Sequence, residues 1–349
     1  MKQRQEGLRA VFMDFCARGR SNWRFHITPS ALIAVALMSV LTACDPMMPV
    51  IEPTVPTPTL SGTETPTPPP AASATPTASP TPVVTPTPTP FPCDEDGLVI
   101  AVEENESEIA RENLPYQAYL PPCYQSSVKR YPLVLLFADA PGNSGLMETL
   151  AIAQTMDQGI RLGTLPPMVV VVADLGRQGT RNQFPPERST ETVIRDELLP
   201  GLARDFCLIE QRAYRTIGGF GEGGFWAVLT AFRTPDLFSA IGGHSAVLDN
   251  TVPPSDNPLE IARNSTILPG ANLRLYFDNG TADEDAAQGL QLLSDRLTAR
   301  QIAHSYVINP VGEGNAEYWS AHISEYLEFY GRDWPRDYEA LPSCTEPSP

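Results

Sequence analysis

The sequence predicts an α/β fold, a mostly parallel sheet with helices on both faces, confined to residues 93–349. Three observations predict it. Short apolar runs, most of them continuous and rich in β-branched residues, recur through those residues and read as strands buried on both faces. Helical patterns separate the later runs, as crossover connections in a parallel sheet require. The residues ahead of position 93 differ so sharply in composition that they cannot share that core.

In chain order, residues 1–43 read as an export signal. An Arg-rich start precedes a mostly apolar run, 31–41, that is too short to span a bilayer and ends in Leu41-Thr42-Ala43-Cys44. That ending resembles the bacterial lipobox, which implies a lipid on Cys44 as the first mature residue and an extracytoplasmic, membrane-anchored protein. Translation from Met13 rather than Met1 would shorten the unusually long basic region. Residues 44–92 follow as the anchor cysteine and a stalk. Between Asp45 and Pro92 lie 16 of the chain's 37 prolines and 12 threonines, too little apolar surface to offset the entropy of ordering. Proline fixes φ and donates no hydrogen bond, so the stretch is expected to be extended, at about 3.1 Å per residue.

Residues 93–349 then form one domain of 257 residues. Strands are expected at 98–102, 116–120, 133–138, 168–173, 214–219, 238–243, 273–277 and 305–308. Helices are expected at 190–204, 223–232, 285–299 and 316–330. Within 285–299, Leu290, Leu293 and Leu297 recur at helical spacing and should face the sheet.

Charge and cysteines narrow the functional classes. The net charge is −17, and without residues 1–43 the chain holds 18 basic against 39 acidic residues, a net of −21. That balance excludes a nucleic-acid partner, which needs a basic face. Cys93, Cys123, Cys207 and Cys344 form an even set in an exported domain and imply disulfides. Cys93 with Cys344 would clamp the termini and leave Cys123 for Cys207, although three pairings are open. No C-x-x-C and no ligand cluster points to a metal or cofactor.

The most informative segment runs from Ile217-Gly218-Gly219-Phe220-Gly221 to Glu222-Gly223-Gly224-Phe225-Trp226: strand, sharp turn, helix. Gly219, Gly221 and Gly224 satisfy a dinucleotide fingerprint literally. That chemistry also needs an acid at the tip of the next strand, where the sequence reads Gly242-Gly243-His244. The same geometry serves the nucleophile elbow, G-x-S-x-G.

At this point the chain resembles the Putative esterase family of α/β-hydrolases, the esterase D-like relatives of feruloyl esterases and mycolyltransferases. The likeness rests on Tyr119-Leu120-Pro121-Pro122-Cys123-Tyr124, Asp196-Glu197-Leu198-Leu199-Pro200, the elbow, Phe238-Ser239-Ala240-Ile241-Gly242-Gly243-His244-Ser245 and Tyr318-Trp319-Ser320-Ala321-His322. It implies the α/β-hydrolase fold from about Gly97 to Trp334, and a triad at positions 221, 283 and 314. The acid, Asp283, is present. Gly221 stands at the nucleophile position and Gly314 at the histidine position. Ala138-Asp139 replaces the family's His-Gly near the oxyanion site. His244 and Ser245 are adjacent on a strand end, so their side chains diverge and do not pair, and the resemblance to a structural Gly-His-Ser pattern implies a packing role for His244.

Glycine cannot form an acyl intermediate, and removing Ser or His from a comparable triad costs about 10⁶ in turnover. The expectation is therefore a catalytically degenerate esterase-like protein that binds a small-molecule or glycan ligand. Asp283, Ala138, Asp139, Glu222, His244, Ser245 and Glu313 are its cleft candidates. A scaffold without ligand is the plainer alternative. A carboxylic ester hydrolase with a non-standard arrangement is the other.

Overall fold

A computed structural model describes residues 93–143, 145–180, 186–249 and 252–345. The expectations for the signal segment, Cys44 and the Pro/Thr stretch lie outside the described residues. Eight strands form the main sheet: β1 (Leu98–Val102), β2 (Tyr116–Leu120), β3 (Leu133–Phe137), β4 (Val169–Ala173), β5 (Arg215–Phe220), β6 (Ala240–His244), β7 (Arg274–Gly280) and β8 (Ser305–Asn309). Their spatial order is β1-β2-β4-β3-β5-β6-β7-β8. β2 pairs antiparallel with β1 and β4, and every later pairing is parallel. The exchange of β3 and β4 puts both beside the centre, where all of their residues are buried. That burial is why they read as unbroken apolar runs.

The described helices include α1 (Ile152–Arg161), α2 (Leu199–Asp205), α3 (Gly221–Arg233), α4 (Pro258–Asn264), α5 (Glu284–Ala299) and α6 (Ala316–Gly331). A π-helical turn, Ile194–Leu198, leads into α2, so the helix expected at 190–204 is interrupted. In α5, Leu290, Leu293 and Leu297 are buried, as the spacing predicts. Helix α3 is buried along most of its length, being packed on β5, β6 and β3. Neither α1 nor α4 was expected. A separate two-stranded ladder joins Glu106–Ser107 to Glu112–Asn113. Among the described residues, no helix is long and apolar enough to cross a membrane.

The disulfide pairing differs from the arrangement that would clamp the termini to each other. Cys93 bonds Cys123 and Cys207 bonds Cys344. The cause is the antiparallel β1–β2 pairing, which carries the start of the domain to the end of β2 rather than to the C-terminal tail. The tail lies instead along the segment after Cys123, with Lys129 bridged to Ser343 and the Cys344 N–H donating to Val128 O at 2.8 Å.

Candidate functional site

Parallel strands place the loops after β3, β5, β7 and β8 along one edge of the sheet, and the positions singled out in the sequence fall there. At the tip of β5, Gly221 has φ +52°, the left-handed region that costs a side-chain-bearing residue energy. The turn is thus the sharp strand-to-helix elbow, with no side chain on its apex. A Cβ on Gly221 would meet the Asp139 Cβ at 3.3 Å. Asp139 Oδ1 accepts from Asn143 Nδ2 at 2.6 Å.

Glu222 follows the apex in the first turn of α3. Burial, and then the charge of Asp249, hold its carboxyl above the usual range. The loops after β3 and β4 are tied across this end by Asp174, which accepts from Gly142 N at 2.6 Å and Gly176 N at 2.7 Å. The crevice between Ala138, Asp139, Asp174, Glu222 and Trp226 measures about 10 Å³. That is space for about one water, not for an acyl group. Three carboxylates, those of Asp139, Asp174 and Glu222, line it where an oxyanion would need donors.

Loop pairing brings the other two triad positions together. Thr281 N donates to Asn309 O and Ala282 N to Gly312 O, both at 3.0 Å, which joins the loop after β7 to the loop after β8. Asp283 then caps α5, its Oδ1 accepting from Ala286 N at 3.2 Å. Its residue is 5% exposed, and its Oδ2 is buried without a hydrogen-bond partner. A Cβ on Gly314 would stand 2.9 Å from that Oδ2. The acid faces the position that the sequence reading expects for a base, and meets backbone there. Glu313 and Gly314 themselves are exposed.

His244 and Ser245 do not line a cleft, so both fail as cleft candidates, and His244 instead has the packing role that the resemblance implies. His244 is 0% exposed. Its Nδ1 lies 2.8 Å from Asp278 Oδ1 and its Nε2 2.8 Å from the Tyr330 hydroxyl. The Tyr326 ring stacks on it at 3.6 Å. Asp278 Oδ2 accepts from Tyr318 and Tyr326, both at 2.6 Å. Burial and the Asp278 charge raise all three tyrosines well above the ordinary phenol range. The Tyr330 hydroxyl reaches between β5 and β6, where a Cβ on Gly218 or Gly242 would collide with it. Ser245 is buried, and its hydroxyl accepts from Trp319 Nε1 at 3.2 Å. Sequence reasoning did not find this network, although Tyr318, His322, Tyr326 and Tyr330 recur every four residues along α6.

The remaining described histidines lie elsewhere. His304 pairs with Ser294 Oγ and Ile302 O, at 2.8 and 2.9 Å. His322 packs on Tyr318 and lies 3.6 Å from Glu325. The one described cluster with metal-ligand spacing is Cys93, Glu95 and Cys123. Its sulfurs bond each other and offer no thiolate.

Comparison with known proteins adds to this geometry. A family model described as Putative esterase matches residues 107–331. No curated protein matches the sequence. The fold is similar to that of a ferulic acid esterase, with TM-score 0.62 at 18% identity over 69% of this chain and 99% of the other. It is similar to a fluorophosphonate-binding serine hydrolase of Staphylococcus aureus, with TM-score 0.57 at 15% identity over 68% and 99%. It is also similar to an S-formylglutathione hydrolase from Agrobacterium tumefaciens, with TM-score 0.56 at 14% identity over 68% and 95%. At such identities the likeness is one of fold.

Proposed function

Because this chain belongs to the Putative esterase family yet turns its elbow on a bare glycine, we propose that it is a catalytically degenerate α/β-hydrolase that acts by binding. The observation that carries the reading is the unpartnered Asp283 Oδ2 beside Gly314. A working base would take that hydrogen bond, and none of the described histidines does. The cramped, acidic crevice at Glu222 supports the same reading. Leu41-Thr42-Ala43-Cys44 supports a lipid anchor and an extracytoplasmic location for the domain. The ligand class is a small molecule or glycan, and aromatic acyl esters are the first to test, because one structural neighbour is named a ferulic acid esterase.

An activated ester and a fluorophosphonate probe test the proposal on the exported chain. Neither turnover nor labelling is expected. Turnover with a single labelled serine overturns the proposal in favour of a carboxylic ester hydrolase with a non-standard arrangement. That alternative draws on the enzymes among the structural neighbours, but the serine–histidine hydrogen bond among the described residues, Ser294 Oγ with His304 Nε2, joins α5 to the start of β8, at the opposite edge of the sheet from the elbow.

A further inference from the structure

We propose that the cavity walled by Arg215 and α2 binds an organic monocarboxylate whose apolar body is the size of a benzene ring. The cavity lies at the edge of the sheet where β3 and β5 begin, opposite the elbow. The inference does not depend on whether the elbow is inert.

The first observation is room. The cavity measures about 210 Å³, and an apolar protein cavity of about 150 Å³ is enough to hold benzene. Its floor is apolar and buried, made by Leu133 at the start of β3, Leu199 at the start of α2, and Leu208. Its rim is exposed at Arg195, Pro200 and Glu210, so a ligand can enter without displacing the core.

The second observation is the state of Arg215. Its Nη2 donates to Glu210 O, which places the guanidinium against the segment that walls the cavity. That carbonyl is the side chain's only acceptor among the described residues, and Nε is buried with none. No ion pair reaches Arg215 among the described residues. A guanidinium carries more N–H donors than one carbonyl can take, so its terminal nitrogens still have donors to give. Burial draws it below its ordinary range, and the charge of Glu210 offsets this only in part. A carboxylate seated on the terminal nitrogens would supply both acceptor and counter-charge.

The lining also selects among anions and neutral ligands. Arg195 at the rim is already paired with Asp196 through Nε and Nη2, both at 2.7 Å, which leaves Arg215 to meet the ligand. An apolar floor would leave the hydroxyls of a sugar unpaired. Inorganic phosphate would fill none of the apolar space, and an alcohol would bring no charge to the guanidinium. A singly charged head on an apolar body fits both halves of the site.

The test is isothermal titration calorimetry of phenylacetate into the full chain at about pH 7 and about 0.15 M salt, where charges beyond about 8 Å are screened. The expected result is saturable binding with a Kd of about 0.1–1 mM. Affinity should be weaker by about tenfold or more for 2-phenylethanol, which lacks the charge, and for acetate, which lacks the ring. Arg215→Met, which keeps an unbranched apolar side chain, should weaken phenylacetate by about tenfold or more. Ala203→Leu, on α2, should abolish binding by filling the cavity with Arg215 still in place. If Arg215→Met fails to fold, Ala203→Leu and the two analogues decide. No saturation, equal affinity for 2-phenylethanol, or binding retained in Ala203→Leu or in folded Arg215→Met overturns the site.

Discussion

The Asp283 carboxylate lies so close to Gly314 that a Cβ there would be 2.9 Å from Oδ2. The acid therefore stands where any side chain on residue 314 would have to begin. Asp283→Asn removes a buried charge while retaining the oxygen that caps α5. It should raise stability by about 1 kcal/mol, read as a higher melting temperature. A clear fall would mean that Oδ2 has a donor in solution.

Restoring the two missing groups should not restore catalysis. Gly221→Ser forces a side chain into the left-handed region beside Asp139 and should cost about 1–3 kcal/mol. Adding Gly314→His drives a Cβ against the Asp283 carboxylate. Ester turnover of the double variant should stay at background, because the crevice at the elbow measures only about 10 Å³ and is lined by Asp139 and Glu222. Turnover well above background would show that the surroundings are still competent.

Glu222 sets a pH dependence whose sign follows from its raised carboxyl. The folded state binds this proton more tightly than the unfolded chain does. Stability therefore falls as pH rises from the ordinary value of 4.5 through the raised one, and the loss is complete above it. Glu222→Gln should stabilise the protein at pH 7, with a gain that disappears below the ordinary carboxylate value. Urea melts of both proteins at the two pH values measure this. A gain that grew toward low pH would contradict the assignment.

The His244 network should matter for folding and not for chemistry. Tyr330→Phe leaves the His244 Nε2 without its partner and should cost about 1–3 kcal/mol. His244→Ala breaks the buried pair with Asp278 and should cost about 3–5 kcal/mol. Denaturant melts check both. A far smaller cost for His244→Ala would mean that the side chain is not locked between Asp278 and Tyr330.

The sequence was most legible where burial is two-sided. β3 and β4 read as Leu133-Val134-Leu135-Leu136-Phe137 and Val169-Val170-Val171-Val172-Ala173, and no other element type suits such short runs. The elbow was legible because its glycines answer to backbone geometry alone. Helix α1 was not, although Ile152, Met156 and Ile160 recur at helical spacing. It starts after Ala151, which has no capping side chain to mark the boundary. The His244 network was illegible for a different reason. Its members come from β6, β7 and α6, and only the fold brings Asp278 to His244. Disulfide pairing likewise depends on strand order, which cysteine spacing does not encode.

The two disulfides should contribute unequally. Cys207–Cys344 joins residues 137 apart and Cys93–Cys123 residues 30 apart. In the chain-entropy account the longer loop restricts the unfolded chain more, by about 1 kcal/mol. Cys207→Ser with Cys344→Ser should therefore lower the melting temperature more than Cys93→Ser with Cys123→Ser does. The reverse order would locate the dominant effect in the folded state.

The shorter loop has a mechanical consequence. The Cys93–Cys123 bond closes the open end of the β1–β2 ladder, just beyond the Leu98–Leu120 rung. Strand β1 is an edge strand, so a pull on the chain ahead of Cys93 would otherwise peel it away one rung at a time. With the bond in place, tension passes through sulfur to the end of β2, which is flanked by neighbours on both sides. Force arriving from the N-terminal direction must then shear many hydrogen bonds at once, and the domain can be tugged without fraying from its first strand.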